Sequence, residues 1–302
     1  MIVGITKTTE TSPMNATAPQ ARDPDGSDGA AWTRVRSADG VELAACRWPV
    51  EAPPRATIAL LHGLAEHAGR YDALAARLAT AGIELVAVDL RGHGRSPGRR
   101  AWVERFDRYL DDADALIAFA RRDGVPLFLM GHSMGGAIAA LDAIERAPHI
   151  AGLLLSSPAL APGRDVPRWM LAASHVMSRI WPRFPALKID AALLSRDPAV
   201  VAANRADPLV HHGAVPARTG AELLVAMERI ARGRAALTRP TLIWHGTADQ
   251  LTEPAGSREF AAQAGPSDLT LTLYDGNYHE TLNELERERV TGALIDWVRA
   301  RT

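Results

Sequence analysis

From residue 31 onward, the chain alternates short apolar runs with longer amphipathic segments, and this order limits the folds that it can adopt. The apolar runs, such as ATIALL and IELVAVDL, are almost continuous. A strand with one face in water would alternate apolar and polar residues, so these runs predict strands that are buried on both faces. The amphipathic segments between them predict covering helices. We therefore expect an α/β fold with a mostly parallel sheet and helices on both sides.

The predicted elements divide the chain into a core and an insertion. We expect a hairpin from 32–37 and 41–48, strands at 56–61, 83–90, 126–130, 151–156, 241–246 and 269–274, and helices near 70–81, 104–122, 134–147, 254–264 and 283–300. The interval 158–238 is rich in proline and helix signals without strand-like runs. Ligands bind beyond the carboxyl ends of parallel strands, so we interpret 158–238 as a helical cap inserted between core segments 31–157 and 239–302. A capping box, Thr219-Gly220-Ala221-Glu222, predicts the start of one cap helix.

Composition excludes several classes of protein. The formal net charge of -1 argues against nucleic-acid binding, which needs clustered positive charge. Cys46 is the only cysteine, so the chain has no internal disulfide, and we expect a reducing compartment. Residues 1–30 lack the apolar run of a secretory signal, and their composition predicts a disordered tail. No window approaches the ~18 apolar residues of a membrane span, so we expect a cytoplasmic protein.

Two stretches fit G-x-S-x-G, the pattern that marks many serine nucleophiles: GRSPG contains Ser96, and GHSMG contains Ser133. A nucleophile elbow needs a buried strand, a sharp turn with the serine at its tip, and a helix whose first amides face the developing oxyanion. The strand-like PLFLM precedes Ser133, and a good helix former follows it. Met134 can donate its backbone N–H to the oxyanion, whereas Pro97 cannot. We predict that Ser133 is the nucleophile and that Ser96 lies in a turn-rich connection.

Serine needs a base and an acid, because its hydroxyl is a poor nucleophile until a neutral imidazole takes the proton. In hydrolases built on such sheets, an acid and then a histidine follow the serine along the chain. Asp249 lies just past the strand TLIWHG, and His279 is the only histidine after it. Asp275, on the same loop as His279, is the alternative acid.

The second donor to the oxyanion should lie in the loop after an earlier strand, and we assign it to the backbone N–H of Leu64. His62 shapes that loop in our interpretation. A metal site from His62, Glu66 and His67 is disfavoured because H-E-x-x-H is absent. We therefore expect neither a metal nor another cofactor.

Several segments together resemble the monoacylglycerol lipase branch of the α/β-hydrolases, which includes bacterial proteins named lysophospholipases. They are HGLAEHAGRYDALA, DLRGHGRSPGRR, GHSMGGAIA, IDAALLSRDP with ADPLV, HGTADQL and DGNYHETLNE. The similarity runs from about residue 35 to 300 and includes the cap. It implies an eight-stranded sheet, Ser133, Asp249 and His279 as the triad, and the Leu64 and Met134 amides as the oxyanion hole.

The resemblance also implies residues that bind the substrate. Family members use residues matching Glu66 and Arg70 around the glycerol end, and both are retained. Asn204 replaces a tyrosine that often approaches the glycerol head, which leaves the head-group selectivity open.

The cap segment 166–181 carries a broad apolar arc that includes Trp169, Met170 and Met177. Two interpretations fit the arc. It lines an acyl channel or contacts a membrane surface transiently, or it packs on the body of the protein.

These observations lead to a carboxylester hydrolase that cleaves monoacylglycerols to glycerol and fatty acid through an acyl-serine intermediate. The alternatives are a broad esterase or lysophospholipase and, from a different class, a non-catalytic binding module on the same fold. The expected partner is a small lipid or ester.

Overall fold

The computed structural model describes residues 29–163 and 167–302. Its strands are β1 (Ala31–Arg36), β2 (Glu42–Trp48), β3 (Ala56–Leu61), β4 (Ile83–Val88), β5 (Leu127–His132), β6 (Gly152–Ser156), β7 (Pro185–Leu187), β8 (Val215–Pro216), β9 (Thr241–Gly246) and β10 (Leu269–Tyr274). Its α-helices are α1 (Asp72–Thr80), α2 (Asp107–Ala120), α3 (Met134–Glu145), α4 (Arg168–Ile180), α5 (Pro198–Ala206), α6 (Ala217–Gly233), α7 (Pro254–Gln263) and α8 (Arg287–Arg299). Almost all of the tail predicted for 1–30 lies outside the described residues.

The main sheet has eight strands in the order β1-β2-β4-β3-β5-β6-β9-β10. β2 runs antiparallel to both of its neighbours, and the strands from β4 to β10 in that order are all parallel. The predicted mostly parallel sheet is confirmed, and each predicted core element is present with ends that differ by a few residues.

Both faces of the sheet are buried, which explains the continuous apolar runs. In β4, Val86 and Val88 join one apolar core, while Leu85 and Ala87 join the core on the opposite face. Helices α2, α3 and α7 pack on the first face, and α1 and α8 pack on the second. Because successive strand residues point to opposite sides and both sides meet an apolar core, most residues of such a strand are apolar.

Three helices, α4 to α6, lie in the chain between β6 and β9, which are adjacent parallel strands of the sheet. Two short strands in the same interval, β7 and β8, form a separate antiparallel pair. The interval is thus mainly helical, and the short β7 and β8 are an addition that no apolar run in the sequence indicates.

The predicted start of α6 was wrong. The helix begins two residues before Thr219, with Pro216 as its N-cap residue. Thr219 Oγ1 instead accepts a hydrogen bond from the Val103 amide at 3.1 Å, and Glu222 accepts one from the Phe106 amide at 2.9 Å. The residues of the apparent capping box thus satisfy amides of the loop before α2 rather than those of their own helix.

Candidate active site

Ser133 occupies the turn between β5 and α3 in a conformation that non-glycine residues rarely adopt. Its φ is 55° and its ψ is -118°. Such a backbone costs on the order of 1–3 kcal/mol and persists only where the surroundings determine it. The Ser133 amide donates to the Ser156 carbonyl at 3.0 Å, and the Ser133 carbonyl accepts from the amides of Ala137 at 3.2 Å and Ala159 at 3.0 Å. These bonds hold the turn and set the side chain at its tip.

Glycines permit the close crossing of β5 and α3. A Cβ atom on Gly135 would overlap the carbonyl oxygen of Leu61, and one on Gly131 would overlap the Gly135 carbonyl. A Cβ atom on Gly136 would come within 2.7 Å of Pro158 Cβ. The glycines of GHSMGG are therefore required by backbone packing around the serine.

Asp249 and His279 follow the adjacent parallel strands β9 and β10, so both lie at the same edge of the sheet as Ser133. His279 Nδ1 lies 2.8 Å from Asp249 Oδ2, and both side chains are buried. Asp275, the alternative acid, is exposed and accepts a hydrogen bond from Thr247 Oγ1 at 3.1 Å. The structure thus brings His279 to Asp249.

The charges of this pair support each other. Burial would raise the pKa of the Asp249 carboxyl, but the imidazoles of His279 and His245 hold it well below its usual range. Burial would lower the pKa of His279, but the Asp249 carboxylate outweighs it, and the pKa lies above the ordinary value. A carboxylate that favours the imidazolium is the arrangement that a histidine base requires.

His279 lies beside the serine turn. Its ring centroid is 4.7 Å from that of His132, the residue before Ser133. Burial, followed by the nearby His279, lowers the pKa of His132 to about 4. His132 therefore stays neutral near pH 7 and adds no cation next to His279.

The loop after β3 abuts the serine from the other side. A Cβ atom on Gly63 would lie 3.2 Å from Ser133 Cβ, which places Leu64 in the same loop close to the turn. Met134 is the first residue of α3, so its amide has no acceptor inside the helix. The two predicted oxyanion donors thus lie in segments that flank Ser133.

Glu66 and Arg70 form a buried charge network. Arg70 donates to Glu66 Oε2 at 2.8 Å and binds Glu280 through two hydrogen bonds of 2.6 and 2.9 Å. Glu66 Oε1 also accepts from the Gly63 amide at 2.5 Å and from the Tyr71 hydroxyl at 2.9 Å. Burial opposes ionisation of Glu66, but Arg70 outweighs it and lowers the pKa to about 2. The network joins the loop after β3 to the residue that follows His279.

The same loop contacts the interval predicted to be the cap. His67 Nε2 lies 2.8 Å from Asp207 Oδ2, and the His211 amide donates to the Ala65 carbonyl at 2.8 Å. Asn204 lies one turn before Asp207, is buried, and belongs to α5.

Helix α4 presents large apolar side chains to the outside. Trp169, Ile180 and Trp181 expose 69%, 77% and 58% of their surface, and Met177 exposes 39%. The side chain of Met170, also predicted to bind substrate, lies outside the described residues. Packing on the body therefore does not account for the whole apolar arc.

Sequence reasoning missed two residues of this site. His245 and Thr252 both contact the Asp249 carboxylate, at 3.0 and 2.8 Å. A histidine within the otherwise apolar buried strand TLIWHG was the available signal, because a polar side chain there needs a specific partner.

Within residues 29–163 and 167–302, no group of three or more histidine, cysteine or acidic side chains is arranged to hold a metal ion. The helices of that part of the chain are all too short or too polar to cross a bilayer.

The parallel sheet, with its serine turn after β5 and its acid and histidine after β9 and β10, defines the α/β-hydrolase class. Within it, the chain belongs to the family described as serine aminopeptidase S33, which matches residues 52–286. The family is one of serine hydrolases.

Relatives of known name support the resemblance found in the sequence. The chain is 37% identical to a monoacylglycerol lipase of Mycolicibacterium smegmatis, over 86% of this chain and 93% of the relative. It is 36% identical to the human monoglyceride lipase, over 88% and 89% of the two chains. The crystal structure of Paleococcus ferrophilus monoacylglycerol lipase superposes with a TM-score of 0.78 at 34% identity, covering 86% of this chain and all of that one. The predicted likeness to the monoacylglycerol lipase branch is confirmed.

Proposed function

We propose that this protein cleaves monoacylglycerols to glycerol and a fatty acid through an acyl-serine intermediate on Ser133. The observation that carries the proposal is the buried Asp249–His279 contact of 2.8 Å beside the strained turn that presents Ser133. The substrate class is supported by the similarity to monoacylglycerol lipases over most of both chains.

In the acylation step, neutral His279 takes the proton of the Ser133 hydroxyl as the oxygen attacks the ester carbonyl. Asp249 holds the Nδ1–H tautomer and stabilises the imidazolium that forms. The developing oxyanion accepts hydrogen bonds from the amides of Leu64 and Met134, each worth about 3 kcal/mol in comparable enzymes. His279 then returns the proton to the departing glycerol oxygen, and water repeats the sequence on the acyl-serine.

Glu66 and Arg70 act on the alcohol side of this site mainly through the loop that carries Leu64. The Glu66 carboxylate holds the Gly63 amide, which fixes the backbone next to the oxyanion donor. Arg70 is hydrogen-bonded to both Glu66 and Glu280. The two side chains therefore fix the shape of the glycerol end more than they bind glycerol directly. Together with Asn204 in place of the aromatic hydroxyl of the family, this predicts modest discrimination between glycerol and other small alcohols.

Residues 158–238 act as the cap that admits a single acyl chain, and Trp169 and Met177 form part of its apolar entrance. The exposed Trp169 of α4 and Trp181, which follows the helix, favour transient contact with a lipid surface, where aromatic rings prefer the interface. The substrate would then pass from the lipid to Ser133 without crossing water.

A second candidate is hydrolysis of a lysophospholipid. The phospholipase YtpA of Bacillus subtilis is 32% identical over 80% of this chain and 94% of its own length. The two candidates share the acyl-serine chemistry and differ only in the head group.

Hydrolysis rates over monoacylglycerols, lysophospholipids and simple esters of graded chain length test both candidates. Each buried CH₂ contributes about 0.8 kcal/mol, so kcat/KM should rise up to about fourfold per carbon until the channel is full. Rates that peak at acetate esters and decline with every added carbon would rule out the lipid substrate. Failure of a fluorophosphonate to label the protein would favour the non-catalytic binding module.

A further inference from the structure

His245 is a fully buried histidine that the mechanism above does not use. It lies near the carboxyl end of β9, four residues before Asp249, and none of its surface is exposed. Burying a polar ring in a sheet between two apolar layers is unfavourable unless both of its nitrogens find partners.

Both nitrogens of His245 do find partners. Nε2 lies 3.0 Å from Asp249 Oδ2, which is the same oxygen that His279 Nδ1 contacts at 2.8 Å. Nδ1 lies 2.8 Å from the Oγ of Ser257, a fully buried residue of α7. The imidazole therefore spans the distance between the helix and the carboxylate.

The contacts restrict where the His245 ring carries hydrogen. A carboxylate oxygen can only accept, so Nε2 must carry a hydrogen and donate to Asp249. The Ser257 hydroxyl is placed to donate to Nδ1, the arrangement that favours a hydrogen on Nε2 alone.

The Asp249 carboxylate is held by donors from several segments. Oδ1 accepts from the amides of Leu251 at 2.8 Å and Thr252 at 3.1 Å. Oδ2 accepts from Thr252 Oγ1 at 2.8 Å, from His245 and from His279. Among the residues that the structure describes, His245 alone holds Oδ2 from within the sheet, because the other fixed donors lie in the loop that carries Asp249 itself.

We infer that His245 is a positioning residue that acts through Asp249, with Ser257 setting its tautomer. The Nε2–H of His245 orients Asp249 Oδ2 toward His279. It also reduces the negative charge that Oδ2 presents to the His279 ring. This inference rests on the proposed function, because it needs Asp249 to be the acid of a working triad.

Removal of His245 should change catalysis in two ways. The carboxylate becomes free to turn, so kcat should fall about tenfold to 100-fold, as expected for the loss of a hydrogen bond to a charged group. KM should stay within about twofold, because His245 does not reach the substrate. Oδ2 also keeps more charge for His279, so the acid limb of kcat/KM should move to higher pH.

The remaining charged groups that face His279 stay unchanged in such variants. Glu280 and Glu66 face it from the Arg70 network, and His132 faces it from the serine turn. A shift in the acid limb of the pH profile of kcat/KM would therefore reflect a change in the Asp249 carboxylate.

The experiment compares His245→Phe, which fills the volume without a donor, with His245→Gln, which restores an N–H. Rates of monoacylglycerol hydrolysis are measured from pH 5 to 9 and divided by the active sites that a fluorophosphonate titrates. We expect the loss of kcat and the displaced acid limb in His245→Phe, and recovery to within a few-fold of the wild type in His245→Gln. Ser257→Ala should lower kcat a few-fold without changing KM.

His93→Phe is the matched control, because His93 is also fully buried but contacts the Arg91 carbonyl rather than the Asp249 carboxylate. It should lower the midpoint of unfolding and leave the acid limb in place.

Three results would overturn the inference. The first is a wild-type kcat and acid limb in His245→Phe, and the second is an equal loss in the Phe and Gln variants. If His245→Phe does not fold, wild-type values in both Ser257→Ala and His245→Gln overturn it as well. Absence of ester hydrolysis by the wild type would instead contradict the proposed function itself.

Discussion

Two serines of this chain share the same five-residue pattern and occupy opposite environments. The hydroxyl of Ser96 donates to the Asp89 carbonyl and accepts from the Ala44 amide at 2.8 Å, and only 1% of its surface is exposed. Within the described residues, the hydrogen bonds of Ser133 are made by its backbone, and its φ is 55°. The Ser96 hydroxyl joins two segments of the structure, whereas Ser133 is the serine that we propose as the nucleophile.

The difference comes from what surrounds each pattern. The turn at Ser96 closes on itself, because the Gly92 amide donates to the Pro97 carbonyl at 2.8 Å. The Asp89 carboxylate fastens the turn further by accepting from the Arg95 amide at 2.6 Å. The turn at Ser133 instead abuts the loop of Leu64, where a Cβ atom on Gly63 would lie 3.2 Å from Ser133 Cβ. Glycine spacing therefore allows a tight turn, and the neighbouring elements decide whether the serine within it is available.

Replacement of the proposed nucleophile should have the largest effect. Ser133→Ala should lower kcat for ester hydrolysis by about 10⁶, as in comparable triads, because no other group can form the acyl intermediate. Steady-state rates on a monoacylglycerol measure this, with Ser96→Ala as the control. Retained hydrolysis in Ser133→Ala, with loss in Ser96→Ala, would show that Ser96 rather than Ser133 is the nucleophile.

The rate of labelling by a fluorophosphonate should depend on pH at Ser133, and Ser96 should not be labelled. Only neutral His279 can accept the Ser133 proton, so the labelling rate should fall about tenfold per unit once the pH drops below the pKa of His279. That pKa is raised, so the midpoint should lie above the ordinary value of ~6.5.

Ser96 should remain unlabelled at every pH, because it has no base. Peptide mass spectrometry over pH 5 to 9 follows both sites in one sample. A labelling rate at Ser133 that is flat from pH 5 to 8 is incompatible with a histidine base.

Ser96→Ala should affect stability rather than activity. The change leaves the Ala44 amide without its buried acceptor, which costs about 1–3 kcal/mol of the free energy of unfolding. Denaturant unfolding measures the loss, while kcat should stay within a few-fold of the wild type. A variant that keeps its stability would show that the Ser96 hydroxyl is not needed to join β2 to this turn.

Ser133→Gly should have the smallest effect and the opposite sign. Glycine tolerates the positive φ, so relief of strain should exceed its added entropy in the unfolded chain and raise the free energy of unfolding by about 1 kcal/mol. Ser133→Ala keeps the Cβ atom and serves as the reference for this comparison. Equal stability of the Gly and Ala variants would mean that the turn is not strained at Cβ.

The sequence alone was sufficient where a local pattern has one physical solution. Continuous apolar runs predict strands that are buried on both faces, and the structure has them in one mostly parallel sheet. The pairing of His279 with Asp249 was predicted from chain order and strand ends, because parallel strands carry their following loops to the same edge. The proposal of Ser133 rather than Ser96 rests on Met134 and Pro97, since only Met134 has a backbone N–H.

Contacts between distant segments could not be predicted in this way. The Thr219–Glu222 pattern indicated a helix start, but its side chains serve the loop before α2, more than 100 residues away in sequence. Glu280 gave no local signal of its bonds to Arg70, and His245 gave no sign that it shares an oxygen of Asp249 with His279. Periodicity and chain order determined the sheet and the order of the proposed triad, because these depend on neighbours along the chain. Only the tertiary structure decided which buried charges meet, because a hydrogen bond depends on where the folded backbone places two side chains.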